Sequence, residues 1–228
     1  MTRSYDALVL AGGAARRLGG TDKPALAVGG LALLDRVLAA CADARTTVVV
    51  GPRRPTVRPV RWTREEPAGG GPLPALAAGL AALDAAHGAP GRQGPHGTHD
   101  PHAAHGTDST DIVDSTVLVL AADLPFLTAA TTGALADALT GDREGVLLTD
   151  ADGRDQPLAA AYRSEPLRRE LALLRAEHGH LTGLPLRLLT RELALHRIAD
   201  PTGDASFDCD TWEDVAVARA RLDGGTPE

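Results

Sequence analysis

The stretch LVLAGGAARRLGGTDKPAL, residues Leu8–Leu26, places a glycine-rich turn directly after a short apolar run. The apolar run Ala7–Leu10 predicts a buried β-strand, and Gly12-Gly13 follows it at once. Glycines in such a turn expose backbone N–H groups and let a polyanion approach the main chain closely. Arg17 and Lys23, farther along the same stretch, would add positive charge beside a phosphate. The stretch therefore predicts a phosphate-binding turn.

Lys23 is the only lysine in the chain, whereas 22 positions are arginine. A single exception in an arginine-rich chain indicates a place that needs a compact ammonium group rather than a planar guanidinium. The alternative is a lysine that lies on the surface by chance.

Two common phosphate-binding motifs do not fit this stretch. The P-loop pattern requires a hydroxyl residue after its lysine, but Pro24 follows Lys23. The dinucleotide pattern requires separated glycines, but Gly12 and Gly13 are adjacent.

The stretch resembles the signature L-A-G-G-x-S-x-R-x-G-x-D-K of the molybdenum cofactor guanylyltransferase family, the MobA-like NTP transferases. Ala15 stands where this signature usually has serine, which removes a hydroxyl but no backbone contact. The positions that match are Leu10, Ala11, Gly12, Gly13, Arg17 and Gly19 and, one position later than in the signature, Asp22 and Lys23. Of these, the resemblance implies nucleotide binding by Leu10, Ala11, Gly12, Gly13 and Lys23.

Length and composition indicate one globular domain over residues 1–228. The net charge of −7 disfavours a nucleic-acid partner, so a polyanionic substrate must be held by a local cationic site. The first residues do not have the pattern of a signal peptide, and no apolar run has the length of a membrane span. We therefore expect a cytoplasmic protein, with Cys41 and Cys209 as reduced thiols.

The alternation of strand and helix patterns predicts an α/β protein with a mostly parallel central sheet and helices on both faces. The resemblance implies that this is the three-layer, Rossmann-like nucleotidyltransferase fold. Ligands of such sheets bind at the carboxyl ends of the strands. The predicted strands are 7–10, 46–50, 56–62, 115–120, 145–149, 157–162 and 193–198. The predicted helices are 31–42, 72–86, 129–139, 165–177, 181–188 and 211–222.

Residues 87–114 differ in composition from the rest, being rich in Gly, His, Pro and Asp. Such a segment buries too little apolar surface to offset its ordering entropy, so it predicts a flexible insertion. A short disordered tail is expected at residues 224–228. The insertion contains five of the eight histidines, which could bind a transition metal adventitiously: His87, His96, His99, His102 and His105.

The segment EEPAGGGPL, residues 65–73, matches a second family element, an acidic residue shortly before a GPL helix start. The resemblance places it near the nucleotide base and ribose, with Glu65 or Glu66 as the acidic residue and Gly71 beside it. The alternative is a solvated turn, and the sequence does not choose between the two glutamates.

Asp123 lies just past a predicted strand and begins the motif Asp123-Leu124-Pro125. A carboxylate there faces the ligand crevice, where it could hold Mg²⁺ against phosphates, and the family's D-x-P element has that role. The alternative is a turn-forming aspartate. Gln156 and Pro157 resemble a family segment on the acceptor side.

The segment Asp208-Cys209-Asp210-Thr211 resembles the family element N-x-N-T, with aspartates in place of both asparagines. A carboxylate binds Mg²⁺ better than an amide oxygen does, so we expect Asp210 to share the metal with Asp123. The alternative is that Asp208 and Asp210 cap the last helix. Thr211 and Asp214 have the spacing of a capping box.

The resemblance implies transfer of GMP from GTP to the phosphate of molybdopterin, giving the guanine dinucleotide cofactor and pyrophosphate. An acceptor phosphate is ionised near neutral pH and needs no general base, so the expected catalytic residues are Arg17, Lys23 and Asp123. The family pairs A-G-G with guanine, which favours GTP over CTP.

Several alternatives to this function remain open. The chain could be a cytidylyltransferase for the same cofactor, or a guanylyltransferase for another small phosphate such as phospholactate. It could also be an inactive nucleotide- or cofactor-binding module that serves molybdoenzymes as a chaperone.

Overall fold

A seven-stranded sheet runs through the centre of the protein in the computed structural model, which describes residues 4–13, 18–88, 115–200 and 202–224. The strands are β1 Tyr5–Leu10, β2 Ala27–Val28, β3 Leu31–Ala32, β4 Thr47–Val50, β5 Arg61–Thr63, β6 Thr116–Ala121, β7 Gly145–Thr149, β8 Asp155–Arg163 and β9 Leu195–Ala199. The main sheet has the order β5-β4-β1-β6-β8-β7-β9, and β2 and β3 form a separate two-stranded ribbon.

Helices cover both faces of the main sheet. They are α1 Leu33–Ala40, α2 Pro72–His87, α3 Ala129–Ala138, α4 Ser164–His178, α5 Arg187–Thr190 and α6 Trp212–Asp223. Alternate residues of each strand point to opposite faces, so Val9 packs in the core with α1 and α3, while Leu8 packs in the core with α2 and α4. The predicted three-layer α/β fold is confirmed. Within the described ranges no helix has the length and apolarity needed to cross a membrane.

Strand β8 is antiparallel to both of its neighbours, β6 and β7, whereas the other pairings in the main sheet are parallel. The amino end of β8 therefore lies at the same edge of the sheet as the carboxyl ends of β1, β4 and β6. Gln156 and Pro157, at the start of β8, are brought to that edge.

A third, smaller apolar core joins α6 to the β2–β3 ribbon. Val215 and Ala218 of α6 pack against Val28 and Leu33. At its border the rings of Phe126 and Phe207 meet edge to face, with centroids 5.5 Å apart, and Arg221 lies 4.1 Å above the Phe126 ring. This core fixes the chain that precedes α6.

Three predicted boundaries were wrong. The predicted strand 56–62 is only Arg61–Thr63, after a segment that contains Pro55 and Pro59. The predicted helix 181–188 is replaced by Arg187–Thr190, because Gly183 has a φ of +74° and Pro185 follows it. Leu31–Ala32 is extended rather than helical, so the first helix begins at Leu33.

His87 belongs to α2 and not to the predicted insertion, since its imidazole contacts the buried Asp6. Its Nε2 lies 3.2 Å from Asp6 Oδ2, and Arg45 donates to the same oxygen at 2.9 Å. The rest of the insertion from residue 89, with His96, His99, His102 and His105, lies outside the described residues, as do residues 225–228 of the tail.

Two helical glycines should respond oppositely to alanine. Gly133 in α3 has open space where a Cβ would stand, so Gly133→Ala should stabilise the fold by about 0.5–1 kcal/mol. A Cβ on Gly79 in α2 would lie 3.1 Å from methyl carbons of both Leu8 and Val50. The free energy of unfolding of Gly79→Ala should therefore not exceed that of the wild type. Urea unfolding of both variants checks this, and an equal gain in both would contradict the packing of α2.

Candidate active site

The glycine turn lies at the edge of the sheet where β1, β4 and β6 end. The Ala11 N–H donates to the Val50 carbonyl at 2.8 Å, and the Ala122 N–H donates to the Leu10 carbonyl at 3.1 Å. These bonds hold the segments after the three strands side by side. The Ala11 N–H is therefore directed at β4 rather than at a ligand, while Gly12 and Gly13 are exposed. Arg17 lies outside the described residues.

Lys23 connects this turn to two distant carboxylates. It begins a 3-10 turn, Lys23–Ala25, and its side chain is only 13% exposed. Its Nζ contacts Asp123 Oδ2 and donates to Asp210 Oδ1 at 2.6 Å. The structure thus brings together three of the predicted site residues, from the amino-terminal loop, the end of β6 and the approach to α6.

The electrostatics of this cluster favour charged lysine. Burial opposes the ammonium form, but the carboxylates of Asp123 and Asp210 outweigh it, so the pKa of Lys23 is raised. Burial, with Asp210 and Asp123 nearby, raises the pKa of Asp208 to about 6. Burial, with the Asp123 charge nearby, raises the pKa of the Cys209 thiol to about 12, so this cysteine is an inert thiol in the site's wall.

Asp210 does not cap the last helix. Thr211 is the N-cap: its hydroxyl accepts from the Asp214 N–H at 3.2 Å, and the Asp214 carboxylate accepts from the Thr211 N–H at 2.7 Å. The predicted capping box is confirmed, and it accounts for the start of α6. The Asp210 carboxylate is instead turned towards Lys23, and the Cys209 N–H donates to the Asp123 carbonyl at 3.3 Å, which keeps the two segments together.

The residues present fit a magnesium ion held in part by its substrate. Among the described residues there is no cluster of three or more His, Cys, Asp or Glu side chains that could hold a metal. Oxygens of Asp123 and Asp210, however, both lie within bonding distance of one nitrogen atom. Mg²⁺ commonly takes one or two protein carboxylates and completes its shell with water and phosphate oxygens.

Glu65 and Glu66 have different environments. Glu65 is buried beside the glycine turn, and a Cβ built on Gly12 would lie 3.6 Å from its Oε1. This Oε1 accepts from the Gly69 N–H at 2.9 Å, whereas the buried Oε2 has no hydrogen-bond partner among the described residues. Glu66 is exposed. A buried acceptor without a partner is costly, so these two glutamates, adjacent in sequence, are not equivalent in the structure.

Gly71 precedes α2 with a φ of +99°, a conformation that favours glycine. The turn is joined to the chain after α4, because the Gly183 N–H donates to the Gly70 carbonyl at 2.8 Å. The sequence did not predict this second contact, since nothing local marks two loops more than 100 residues apart as neighbours.

Two further contacts at this edge escaped the sequence analysis. Arg54, in the loop after β4, makes a two-point ion pair with Asp22, the residue before Lys23. Asp150 holds the side chain of Gln156, whose Nε2 donates to Asp150 Oδ2 at 3.0 Å. The Arg53-Arg54 pair, shortly after a predicted strand, was the feature of the sequence that could have indicated the contact between Arg54 and Asp22.

The fold and the site together define the class of protein. An exposed glycine turn, a lysine and a carboxylate at the carboxyl edge of a mostly parallel sheet form the arrangement expected for a nucleotidyltransferase. The model of the MobA-like NTP transferase domain matches residues 7–194, and the chain therefore belongs to that family.

Solved structures share the fold at low sequence identity. Molybdopterin-guanine dinucleotide biosynthesis protein A from Archaeoglobus fulgidus superposes with a TM-score of 0.66 and 16% identity, over 96% of this chain and 99% of that one. The 2-C-methyl-D-erythritol 4-phosphate cytidylyltransferase from Thermus thermophilus superposes with a TM-score of 0.60 and 17% identity, over 96% of this chain and 99% of that one. No curated protein sequence matches the chain.

Removing the lysine should destabilise the ligand-free protein. Lys23→Met removes the ammonium that contacts both Asp123 and Asp210, at a cost of about 1–3 kcal/mol. The double variant Lys23→Met/Asp123→Asn should recover part of this loss, because one of the two repelling charges is gone. Urea unfolding at low salt measures both, and an unchanged midpoint for Lys23→Met would contradict the ion-pair description.

Proposed function

We propose that this protein transfers GMP from GTP to the phosphate of molybdopterin, forming the guanine dinucleotide cofactor and releasing pyrophosphate. The observation that carries the proposal is the meeting of Lys23 and Asp123 beside the exposed Gly12-Gly13 turn, in a chain of the MobA-like family. The likeness in fold to a molybdopterin-guanine dinucleotide biosynthesis protein supports the choice of acceptor.

The donor triphosphate would lie across the glycine turn. The backbone of Gly12-Gly13 lets its phosphates approach, and Lys23 and Arg17 would neutralise their charge. Lys23 would exchange its carboxylate partners for phosphate oxygens, because its ammonium contacts Asp123, which directly follows the residue that donates to the Leu10 carbonyl before the turn.

The reaction needs alignment and charge compensation rather than proton transfer. An ionised oxygen of the acceptor phosphate attacks the α-phosphorus of GTP, and the bond from that phosphorus to the bridging oxygen breaks, so pyrophosphate leaves. The protein's work is to hold two polyanions in line and to offset the charge that grows on the leaving group. No histidine lies in the matched motifs, which agrees with a reaction that uses no general base.

Asp123 and Asp210 would hold a magnesium ion that, when bound, supplies positive charge to the α-phosphate and to the leaving pyrophosphate. Lys23 keeps these carboxylates from repelling each other in the ligand-free protein. With the carboxylates held in that way, Lys23 would be available to contact the phosphates.

The nucleoside side of the site includes Glu65. Its unpartnered Oε2 is suited to accept a hydrogen bond from the base or ribose of the nucleotide. The A-G-G sequence of residues 11–13 favours guanine. A cytidylyl transfer is the second candidate, favoured by the comparable likeness to a cytidylyltransferase with a TM-score of 0.60.

A nucleotide and acceptor panel tests the function. Pyrophosphate release should require GTP, molybdopterin and Mg²⁺ together, and GTP with Mg²⁺ should raise the melting temperature by mass action. Release with CTP instead would select the second candidate. Binding of a nucleotide without turnover of any acceptor in the panel would indicate an inactive binding module.

Loss of the Asp123 carboxylate should slow the reaction. Asp123→Asn is expected to lower kcat about 10²–10³-fold, because the charge that organises the α-phosphate is weakened. Asp152→Asn, at an exposed aspartate in the β7–β8 turn, serves as the matched control and should keep wild-type kinetics. Equal rates for the two variants would remove Asp123 from the catalytic set.

The two adjacent glutamates offer a second matched comparison. Glu65→Gln should weaken nucleotide binding about 10-fold, since a hydrogen bond to a buried carboxylate is replaced by one to a neutral amide. Glu66→Gln changes the same charge on the exposed neighbour and should alter the Kd less than about twofold. Calorimetric titration of both variants measures this, and a larger effect at Glu66 would reverse the assignment.

A further inference from the structure

Arg54 reaches from the loop after β4 to the residue that precedes Lys23. Its Nε donates to Asp22 Oδ2 at 2.8 Å and its Nη2 donates to Asp22 Oδ1 at 2.5 Å. Its Nη1 donates to the Pro52 carbonyl at 2.9 Å, so the guanidinium is held on both sides. The side chain is 10% exposed, although Asp22 itself is half exposed.

Asp22 stands at the N-cap of the 3-10 turn that begins with Lys23, where an aspartate commonly bonds to the backbone of the following turn. Here its side chain makes no cap hydrogen bond. The carboxylate is committed to Arg54 instead, which ties the lysine-bearing turn to the neighbouring strand of the sheet.

We propose that Arg54 is a positioning residue that acts through Asp22 to hold the ammonium of Lys23 in place. Lys23 has a flexible four-carbon stem, so the position of its ammonium depends on how firmly its backbone is anchored. A two-point guanidinium–carboxylate pair fixes orientation as well as distance. Without Arg54, the Asp22 carboxylate would also add a negative charge beside a site that must accept a triphosphate.

Lys23 itself provides a readout that does not depend on the proposed function. Because it is the only lysine, an amine-reactive reagent modifies one side chain, which mass spectrometry separates from the chain's amino terminus. In the wild type this amine is mostly buried and paired with two carboxylates, so it should react slowly. Arg54→Ala and Asp22→Asn should each increase its labelling rate about 10-fold, and the double variant should react no faster than either.

Arg168→Ala is the matched control, since Arg168 makes a similar two-point pair with Asp84 between α4 and α2. Its Lys23 labelling should equal that of the wild type. Unchanged labelling in Arg54→Ala would overturn the proposal, and so would an equal increase in Arg168→Ala, which would mean general loosening of the fold.

Turnover provides a second test, which rests on the proposed function. Arg54→Ala should lower kcat about 10- to 100-fold with a smaller change in KM, as expected for a misplaced catalytic group, and Arg54→Lys should recover little. In a Lys23→Ala background Arg54→Ala should add less than about twofold, because its effect passes through the lysine. The positioning role would be overturned if Arg54→Ala lowered kcat in the Lys23→Ala background as much as it does in the wild type, while Asp22→Asn kept the wild-type kcat. That result would show that Arg54 binds phosphate directly. If the wild type transfers no nucleotide, the proposed function fails while the labelling result still decides the role of Arg54.

Discussion

The ion pairs of Lys23 with Asp123 and Asp210 are the contact on which the site depends. One ammonium contacts two carboxylates, and the further carboxyl of Asp208 lies nearby. A phosphate that bound beside Lys23 would also face these carboxylates at short range. Under the proposed function, a divalent cation that arrived with the nucleotide would offset this repulsion.

The topology of the sheet explains how such distant residues meet. Parallel β1, β4 and β6 are neighbours, so their carboxyl ends deliver the glycine turn, Arg54 and Asp123 to one edge. The reversed direction of β8 adds the start of that strand to the same edge, where Asp150 orients Gln156. The described residues therefore place the glycine turn beside β1 and Gln156 beside β8 on one edge of the sheet.

Local sequence patterns correctly predicted the features that depend on neighbouring residues: the turn after β1, the start of α2 at Pro72 and the capping box at Thr211. Two predicted elements were too long because they contain local breakers, namely prolines and a left-handed glycine. Other features depend on residues far away in sequence, such as the contact of His87, the last residue of α2, with Asp6. The different environments of Glu65 and Glu66 became visible only in the fold, because nothing local in the sequence says which of two adjacent glutamates is buried.

The hydrogen bond between Lys23 and Asp210 joins residues 187 positions apart. Closing so long a loop is entropically costly, and contacts of high sequence separation form slowly. The contact forms only when α6 packs against Val28 and Leu33, because that small core fixes the chain that carries Asp210. Detachment of α6 would therefore separate Asp210 from Lys23 while leaving the seven-stranded sheet paired.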